Sequence, residues 1–244
     1  MTEQAEEFYA ESLKILNKSR IPFLVGGTLA FNPYVGMSRV TKDMDIFCKA
    51  SDFPKIVQIF SELGFKVQTT DERWLGKVLK ARAFFDVIFN SRNALVPVTD
   101  EWFAKAPTEK IFGVEVKLLP PTELLWSKVF VEHRLKYDGN DVAHLILKKY
   151  KDIDWQRILN YMDQYWEVLL IHLLNFRFIY PSERELVPRW LLDELLSRLK
   201  DQENLPTSKT KICRGRLYST EDFEIDVAQW GFADLIGEAP HAGK

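Results

Sequence analysis

Residues 21–48, IPFLVGGTLAFNPYVGMSRVTKDMDIFC, decide the first part of the fold. The short apolar run Ile21–Val25 predicts a buried strand, and the glycine pair Gly26-Gly27 ends it. A helical pattern follows, and the stretch closes on Asp43–Cys48, in which side-chain character alternates from residue to residue. This order predicts a strand, a tight turn, a helix and a second strand.

Two carboxylates lie on the second of these strands. Because side chains alternate along a strand, Asp43 and Asp45 are expected on one face, ~6–7 Å apart along the chain. Asp86 follows in the predicted strand Ala83–Phe89, 41 residues after Asp45. Oxygen donors suit Mg²⁺, and three carboxylates from neighbouring strands can hold two metal ions ~3.5–4 Å apart for phosphoryl-group chemistry.

Each feature also has an ordinary structural interpretation. A glycine pair is most often only a turn, and two alternating aspartates are most often a solvated strand face. An acid among apolar residues, as Asp86 is, must be paired or functional, and an ion pair with Arg82 or Arg92 is the structural alternative. The glycine pair also suits a phosphate site, since a helix N-terminus presents free N–H groups and glycine permits close approach.

In this order, Gly26-Gly27, Asp43-Met44-Asp45 and Asp86 resemble the DNA polymerase β-type nucleotidyltransferase superfamily, over about residues 20–90. Arg39 and Thr41, shortly before the aspartate pair, resemble the subgroup that includes abortive-infection (AbiEii-like) toxins and uncharacterised bacterial nucleotidyltransferases. The later segments Leu125–Lys128 and Tyr137–Asp141 are similar to that subgroup's downstream lysine helix and Asp-rich turn.

The resemblance implies a reaction and a set of site residues. Asp43, Asp45 and Asp86 would be catalytic and would hold Mg²⁺ or Mn²⁺ with a nucleoside triphosphate such as ATP. Asp86 would complete the metal site or accept the proton of an acceptor hydroxyl, which attacks the α-phosphorus and expels pyrophosphate. The residues implied to bind the nucleotide are Gly26, Gly27, Thr28, Arg39, Thr41, Lys128 and Asp141.

Spacing supports an unusual position for Lys128, on the apolar face of a predicted helix over 122–137. An inward lysine is either paired, with a phosphate or with Asp138 and Asp141, or extends to solvent. The two aspartates equally suit a helix cap. A basic run surrounds Asp86 in the sequence, either as a surface for a polyanion or as a solvated face: Arg73, Lys77, Lys80, Arg82 and Arg92.

A change of pattern at Pro120-Pro121 predicts two domains. Residues 1–119 are expected to form an α/β (α+β) nucleotidyltransferase-type domain, a mixed sheet with flanking helices. Residues 120–244 are expected to form a mainly helical C-terminal domain. Within residues 1–119, Ile111–Leu118 is predicted to form one strand.

Composition excludes several classes of protein. The net charge of −2 and the pI near 6.1 argue against a broadly basic nucleic-acid binder. Two cysteines are too few for a disulfide framework or a cysteine zinc site, and the polar N-terminus is unlike a signal peptide. The longest apolar stretch, 168–176, is too short to span a bilayer. These features predict a cytoplasmic protein without a membrane partner.

Two other functions fit the same motifs. One is a catalytically silent nucleotide- or RNA-binding protein on this fold, and the other is a toxin-like nucleotidyltransferase that modifies tRNA or protein. No motif in the helical part specifies the acceptor, which could be a small molecule, RNA or protein. The sequence likewise specifies neither the base nor the oligomeric state.

Overall fold

The computed structural model of the chain describes residues 2–91 and 96–234. These residues fall into two units, Met1–Leu124 and Leu125–Lys244. The first unit combines a mixed sheet with helices and the second is mainly helical, so the predicted α+β class with a helical C-terminal part is confirmed.

The described residues of the first unit form a five-stranded sheet, a separate hairpin and several helices. Its helices are α1 (Glu3–Ser19), α2 (Gly27–Val35), α3 (Phe53–Glu62) and α4 (Asp100–Lys105). Its strands are β1 (Leu24–Val25), β2 (Met44–Phe47), β3 (Lys66–Asp71), β4 (Leu75–Lys80), β5 (Ala83–Ile88), β6 (Thr108–Ile111) and β7 (Val114–Lys117). Helix α5 (Pro121–Lys128) follows β7.

The five-stranded sheet has the order β1-β2-β5-β4-β3. Strands β2 and β5 run parallel, and every other neighbouring pair is antiparallel. The register of the parallel pair places Asp45 directly opposite Asp86. The sheet is therefore mixed, and its parallel pair carries two of the predicted site residues side by side.

The burial of their apolar residues shows which face of β2 and of β5 points into the core. Met44 and Ile46 on β2 are fully buried, as are Phe85 and Val87 on β5 to within 1%. Since successive side chains point to opposite faces, the face of each strand that carries these apolar residues packs against the core. Asp45 alternates with these core residues on β2, and Asp86 does so on β5. The hydrophobic pattern thus sends both carboxylates to the same, more accessible face.

One strand predicted in this unit is wrong. Ile111–Leu118 is not a single strand but the second half of a hairpin, in which β6 and β7 pair antiparallel. Phe112 has φ 47° and Gly113 has φ 76°, the left-handed values that a tight two-residue hairpin turn requires. The phenylalanine in this turn disguises it, because an aromatic residue there extends the apolar alternation of a strand.

The second unit is built from helices with two small strand pairs. Its longer helices are α6 (Gly139–Lys149), α7 (Trp155–Tyr161), α8 (Trp166–Ile179) and α9 (Arg189–Glu203), with the short α10 (Glu224–Ala228). The strands are β8 (Glu132–His133), β9 (Lys136–Tyr137), β10 (Ile212–Cys213) and β11 (Ala233–Asp234). Among residues 2–91 and 96–234, no helix is both long and apolar enough to cross a bilayer.

The helix predicted over 122–137 is also wrong in its second half. It ends at Lys128, and the chain then turns back through the β8–β9 hairpin. The reversal is supported by the Asp138 N–H, which donates to the Val131 carbonyl at 2.8 Å. It brings Asp138 and Asp141 to the ammonium of Lys128, a contact that a continuous helix would prevent.

Candidate active site

The centre of the candidate site is the pair Asp45 and Asp86 on adjacent parallel strands. Neighbouring strands lie about 4.8 Å apart, so directly opposed carboxylates on one face are within reach of a shared ligand. Both residues are partly buried rather than fully solvated. Two negative charges side by side on a half-buried surface require compensation by cations or protons.

Asp43 completes the trio from the bend just before β2. The Thr41 hydroxyl donates to the Asp43 carboxylate at 3.2 Å and lies 3.0 Å from the Asp43 carbonyl oxygen. Thr41 is itself buried. Arg39 and Thr41 are both predicted to bind the nucleotide. Thr41 contacts Asp43 and holds its carboxylate in one orientation.

Arg39, which is also predicted to bind the nucleotide, is exposed in the loop between α2 and β2. Its guanidinium lies 4.5 Å from the centroid of the Phe31 ring. The Asn32 side chain holds the Arg39 backbone, accepting from its N–H at 3.2 Å and donating to its carbonyl at 2.8 Å. The backbone is therefore positioned while the guanidinium stays at the surface.

The two glycines are required for different reasons. A Cβ on Gly26 would lie 2.4 Å from the ring of Phe47, so Gly26 makes room for core packing. A Cβ on Gly27 would lie 1.8 Å from Asp45 Oδ2, and Gly27 also has φ +55°. The Gly26 N–H donates to the Asp45 carbonyl at 2.9 Å. The start of α2, which includes Thr28, is therefore held directly against Asp45.

Tyr9 on α1 connects the strands that carry the aspartates. Its hydroxyl lies 3.2 Å from the Lys42 carbonyl oxygen and 3.0 Å from that of Phe84. Burial, followed by the negative charges of all three aspartates, raises the pKa of Tyr9 to about 12. The phenol therefore stays protonated and lies within electrostatic reach of the whole trio.

Tyr9 was not expected at the site. In the sequence it belongs to the apolar pattern of α1, and nothing near it in the chain indicates a role beyond the core. Its two carbonyl partners lie 33 and 75 residues away. Only the packing of α1 on the sheet could identify it.

Asp86 is paired with Lys77, which lies opposite it on β4. The Lys77 ammonium is 2.5 Å from Asp86 Oδ1, and the side chain of Asp86 is only 15% exposed. Burial raises the pKa of the Asp86 carboxyl above its usual value, with a further increase from Asp43, although Lys77 opposes both effects.

The rest of the basic run has other positions. Arg73 pairs with Asp71 at 2.7 Å, and Lys80 pairs with Glu11 at 2.7 Å. Arg82 is exposed in the turn that joins β4 and β5, and Arg92 lies outside the described residues. The ion pair of Asp86 is therefore with Lys77 and not with Arg82.

Lys128 and Asp141 belong to the second unit. The Lys128 ammonium is 2.7 Å from Asp141 and 2.9 Å from Asp138, and all three side chains are buried. Lys128 therefore does not extend to solvent, and Asp138 makes no side-chain cap to α6 although it precedes that helix. Phosphate neutralisation by Lys128 and nucleotide binding by Asp141 stay predictions from the sequence.

The trio of aspartates suits a hard divalent cation by the chemistry of its donors, which are carboxylate oxygens. Gly27 adds a gap beside Asp45 that any other side chain would fill. Within the described part of the chain, no three or more His, Cys, Asp or Glu side chains are already gathered around one point. The carboxylates are thus neighbours on one surface but do not form a closed cage.

No protein-family model matches the chain, and no curated protein matches it significantly. Solved structures similar to it include the lincomycin-bound lincosamide adenylyltransferase LnuA, at 15% identity and TM-score 0.43, over 59% of this chain and 96% of that one. The antibiotic-resistance factor ANT(2'')-Ia has 13% identity and TM-score 0.46, over 76% and 97% of the two chains.

A nucleotidyltransferase-like antigenic protein from Paracoccidioides brasiliensis has 15% identity and TM-score 0.45, over 76% of this chain and 92% of that one. All three TM-scores lie below 0.5. An adenylyltransferase and a nucleotidyltransferase-like protein are among the solved structures that this chain is similar to.

Proposed function

We propose that the chain is a metal-dependent nucleotidyltransferase that moves a nucleoside monophosphate from a nucleoside triphosphate to a hydroxyl or phosphate acceptor. The observation that carries this proposal is the opposition of Asp45 and Asp86 on adjacent parallel strands, with Gly27 held against Asp45. Three separate segments of the chain bring these two carboxylates and this glycine together. Two aspartates on an ordinary solvated strand face would not need a glycine or a third segment beside them.

Asp43 and Asp45 are the residues that hold Mg²⁺ or Mn²⁺ in this proposal. When bound, the cation supplies positive charge to the triphosphate and to the leaving pyrophosphate. The first turn of α2 faces the same place, and its N–H groups and partial positive charge suit phosphate oxygens. Thr41 keeps Asp43 oriented, and Arg39 contacts the nucleotide from the adjoining loop.

Asp86 acts on the acceptor side. It either contributes to cation binding or takes the proton of an acceptor hydroxyl as the oxygen forms its bond to the α-phosphorus. The bond from that phosphorus to the bridging oxygen breaks, and the electron pair leaves with pyrophosphate. Positioning and charge neutralisation supply most of the rate in such a reaction, so few other groups are needed.

The test is Asp45→Asn, assayed for Mg²⁺-dependent release of pyrophosphate from labelled nucleoside triphosphates in a cell extract that supplies the acceptor. Turnover is expected to fall by at least about 10²-fold, since the variant misplaces or loses a ligand of the triphosphate site. Asp100→Asn is the matched control, because Asp100 is an exposed residue in a surface ion pair with Lys49. Circular dichroism melts establish that both variants fold.

The outcomes separate the candidate functions. Unchanged turnover in Asp45→Asn would contradict the proposal. Nucleotide binding in the wild type without pyrophosphate release from any acceptor would identify a silent binding protein. Label recovered in tRNA or in a protein would identify a toxin-like transferase, and label in a small molecule would exclude it.

A further inference from the structure

A row of polar side chains crosses four strands of the sheet in register. Asp45 on β2 is opposite Asp86 on β5, Asp86 is opposite Lys77 on β4, and Lys77 is opposite Gln68 on β3. Residues paired in register project to the same face. The candidate site therefore includes a positively charged side chain, that of Lys77, in register with Asp45 and Asp86.

The Lys77 ammonium is held by two groups. It lies 2.5 Å from Asp86 Oδ1 and 4.2 Å from the centroid of the Phe84 ring. Phe84 precedes Asp86 by two residues on β5, so both contacts come from the same face of one strand. The side chain of Lys77 is 25% exposed and that of Asp86 is 15% exposed. This is a short, charge-assisted contact in a partly desolvated place.

A neighbouring ion pair shows what an ordinary surface contact of this sheet looks like. Lys80, three residues further along β4, pairs with Glu11 at 2.7 Å, and both side chains are about half exposed. Such pairs are mobile and readily replaced by solvent. Lys77 is more buried than Lys80 and has an aspartate as its partner. Its ammonium also lies closer to an aromatic ring, 4.2 Å from the Phe84 centroid, whereas that of Lys80 lies 5.4 Å from the Phe65 centroid.

We propose that Lys77 is a built-in cation for Asp86, so that the nucleotidyl-transfer site takes one divalent cation, at Asp43 and Asp45, instead of two. The inference rests on the proposed function and deepens it. The ammonium occupies Asp86 Oδ1 and repels a second divalent ion at that carboxylate. Asp86 Oδ2 then acts on the acceptor, and Lys77 is a positioning residue that neutralises Asp86 without contacting substrate.

The experiment counts Mn²⁺ bound per chain by equilibrium dialysis, with saturating α,β-methylene analogues of the four nucleoside triphosphates tested separately. Mn²⁺ bound to free analogue is subtracted. The wild type is expected to bind one Mn²⁺ tightly with the analogue it accepts. Lys77→Met is expected to bind two, with the affinity of the second raised at least about tenfold over the wild type.

Two further variants make the test specific. Lys77→Arg keeps the positive charge and is expected to bind one Mn²⁺, whereas Lys80→Met removes a lysine from the same strand and is expected to behave as the wild type. If Lys77→Met does not fold, Lys77→Gln tests the same point. Two tight Mn²⁺ ions in the wild type, or one in a folded Lys77→Met, would overturn the inference and leave the proposed function standing. No analogue-dependent Mn²⁺ binding in the wild type would overturn both.

Discussion

Gly27→Ala separates the stability of the fold from the geometry of the site. Gly27 has φ +55°, in the left-handed region that disfavours every residue with a Cβ. The added Cβ would also lie 1.8 Å from Asp45 Oδ2, far inside van der Waals contact. The backbone strain lowers the stability of the fold. The steric overlap displaces the carboxylate of Asp45 from its position in the site.

The two effects have different magnitudes. Placing alanine in the left-handed region costs about 1–2 kcal/mol. With a urea m-value of about 2 kcal/mol per molar, that lowers the unfolding midpoint by roughly 0.5–1 M. The carboxylate must move by more than 1 Å to restore contact distance, and a displacement of about 1 Å at a reacting centre can reduce the rate ~10²-fold.

Gly36→Ala is the matched control within the same helix. Gly36 ends α2 with φ +72°, and a Cβ there meets nothing within 4 Å. It therefore carries the same backbone strain without touching Asp45. Both variants would be compared by urea denaturation and by Mg²⁺-dependent release of pyrophosphate under identical conditions.

We expect similar losses of stability in the two variants and a loss of turnover only in Gly27→Ala. Equal turnover in the two folded proteins would refute the argument that Asp45 must lie against the start of α2. A large loss of turnover in Gly36→Ala would show that α2 as a whole, rather than the one contact, governs activity.

Three other predictions follow from buried polar groups. Tyr9→Phe removes a hydroxyl that lies between the Lys42 and Phe84 carbonyls, and is expected to cost about 1 kcal/mol in urea melts and to slow turnover. The control Tyr34→Phe, which removes a 2.9 Å bond to the Leu119 carbonyl, should lose similar stability but no activity. Burial raises the pKa of the Cys48 thiol from 9.0 to about 12, so only the unfolded state ionises in that range and stability falls as pH rises. The free energy of unfolding should drop ~1.4 kcal/mol per pH unit more steeply than in Cys48→Ala between about pH 9 and 12, and equal slopes would contradict this. Lys128→Met removes the buried ammonium that contacts both Asp138 and Asp141, and should lower the free energy of unfolding by about 3–5 kcal/mol in urea melts. A loss below about 1 kcal/mol would mean that the ion pairs are solvated.

Local pattern was sufficient for the elements around the site. Alternation over Asp43–Cys48 predicted β2 with Asp43 and Asp45 on one face, and the glycine pair predicted the start of α2. Prediction from local pattern failed where a turn consists of residues that also suit a strand or a helix. Phe112 hid the β6–β7 turn, and Val129–Val131 hid the reversal after α5, because their apolar side chains continue the preceding pattern.

By itself, the sequence determined which residues carry charge and where the chain direction changes at glycine and proline. It also determined that Asp43 and Asp45 share a strand face, with a third acid, Asp86, 41 residues after Asp45. Tertiary structure alone decided the partners: Lys77 rather than Arg82 for Asp86, and Tyr9 beneath strands that lie 33 and 75 residues away. The physical reason is one of range. Periodicity reports how a side chain is oriented on its own element, whereas a contact between elements depends on strand register and helix packing, which are set by the burial of the whole core.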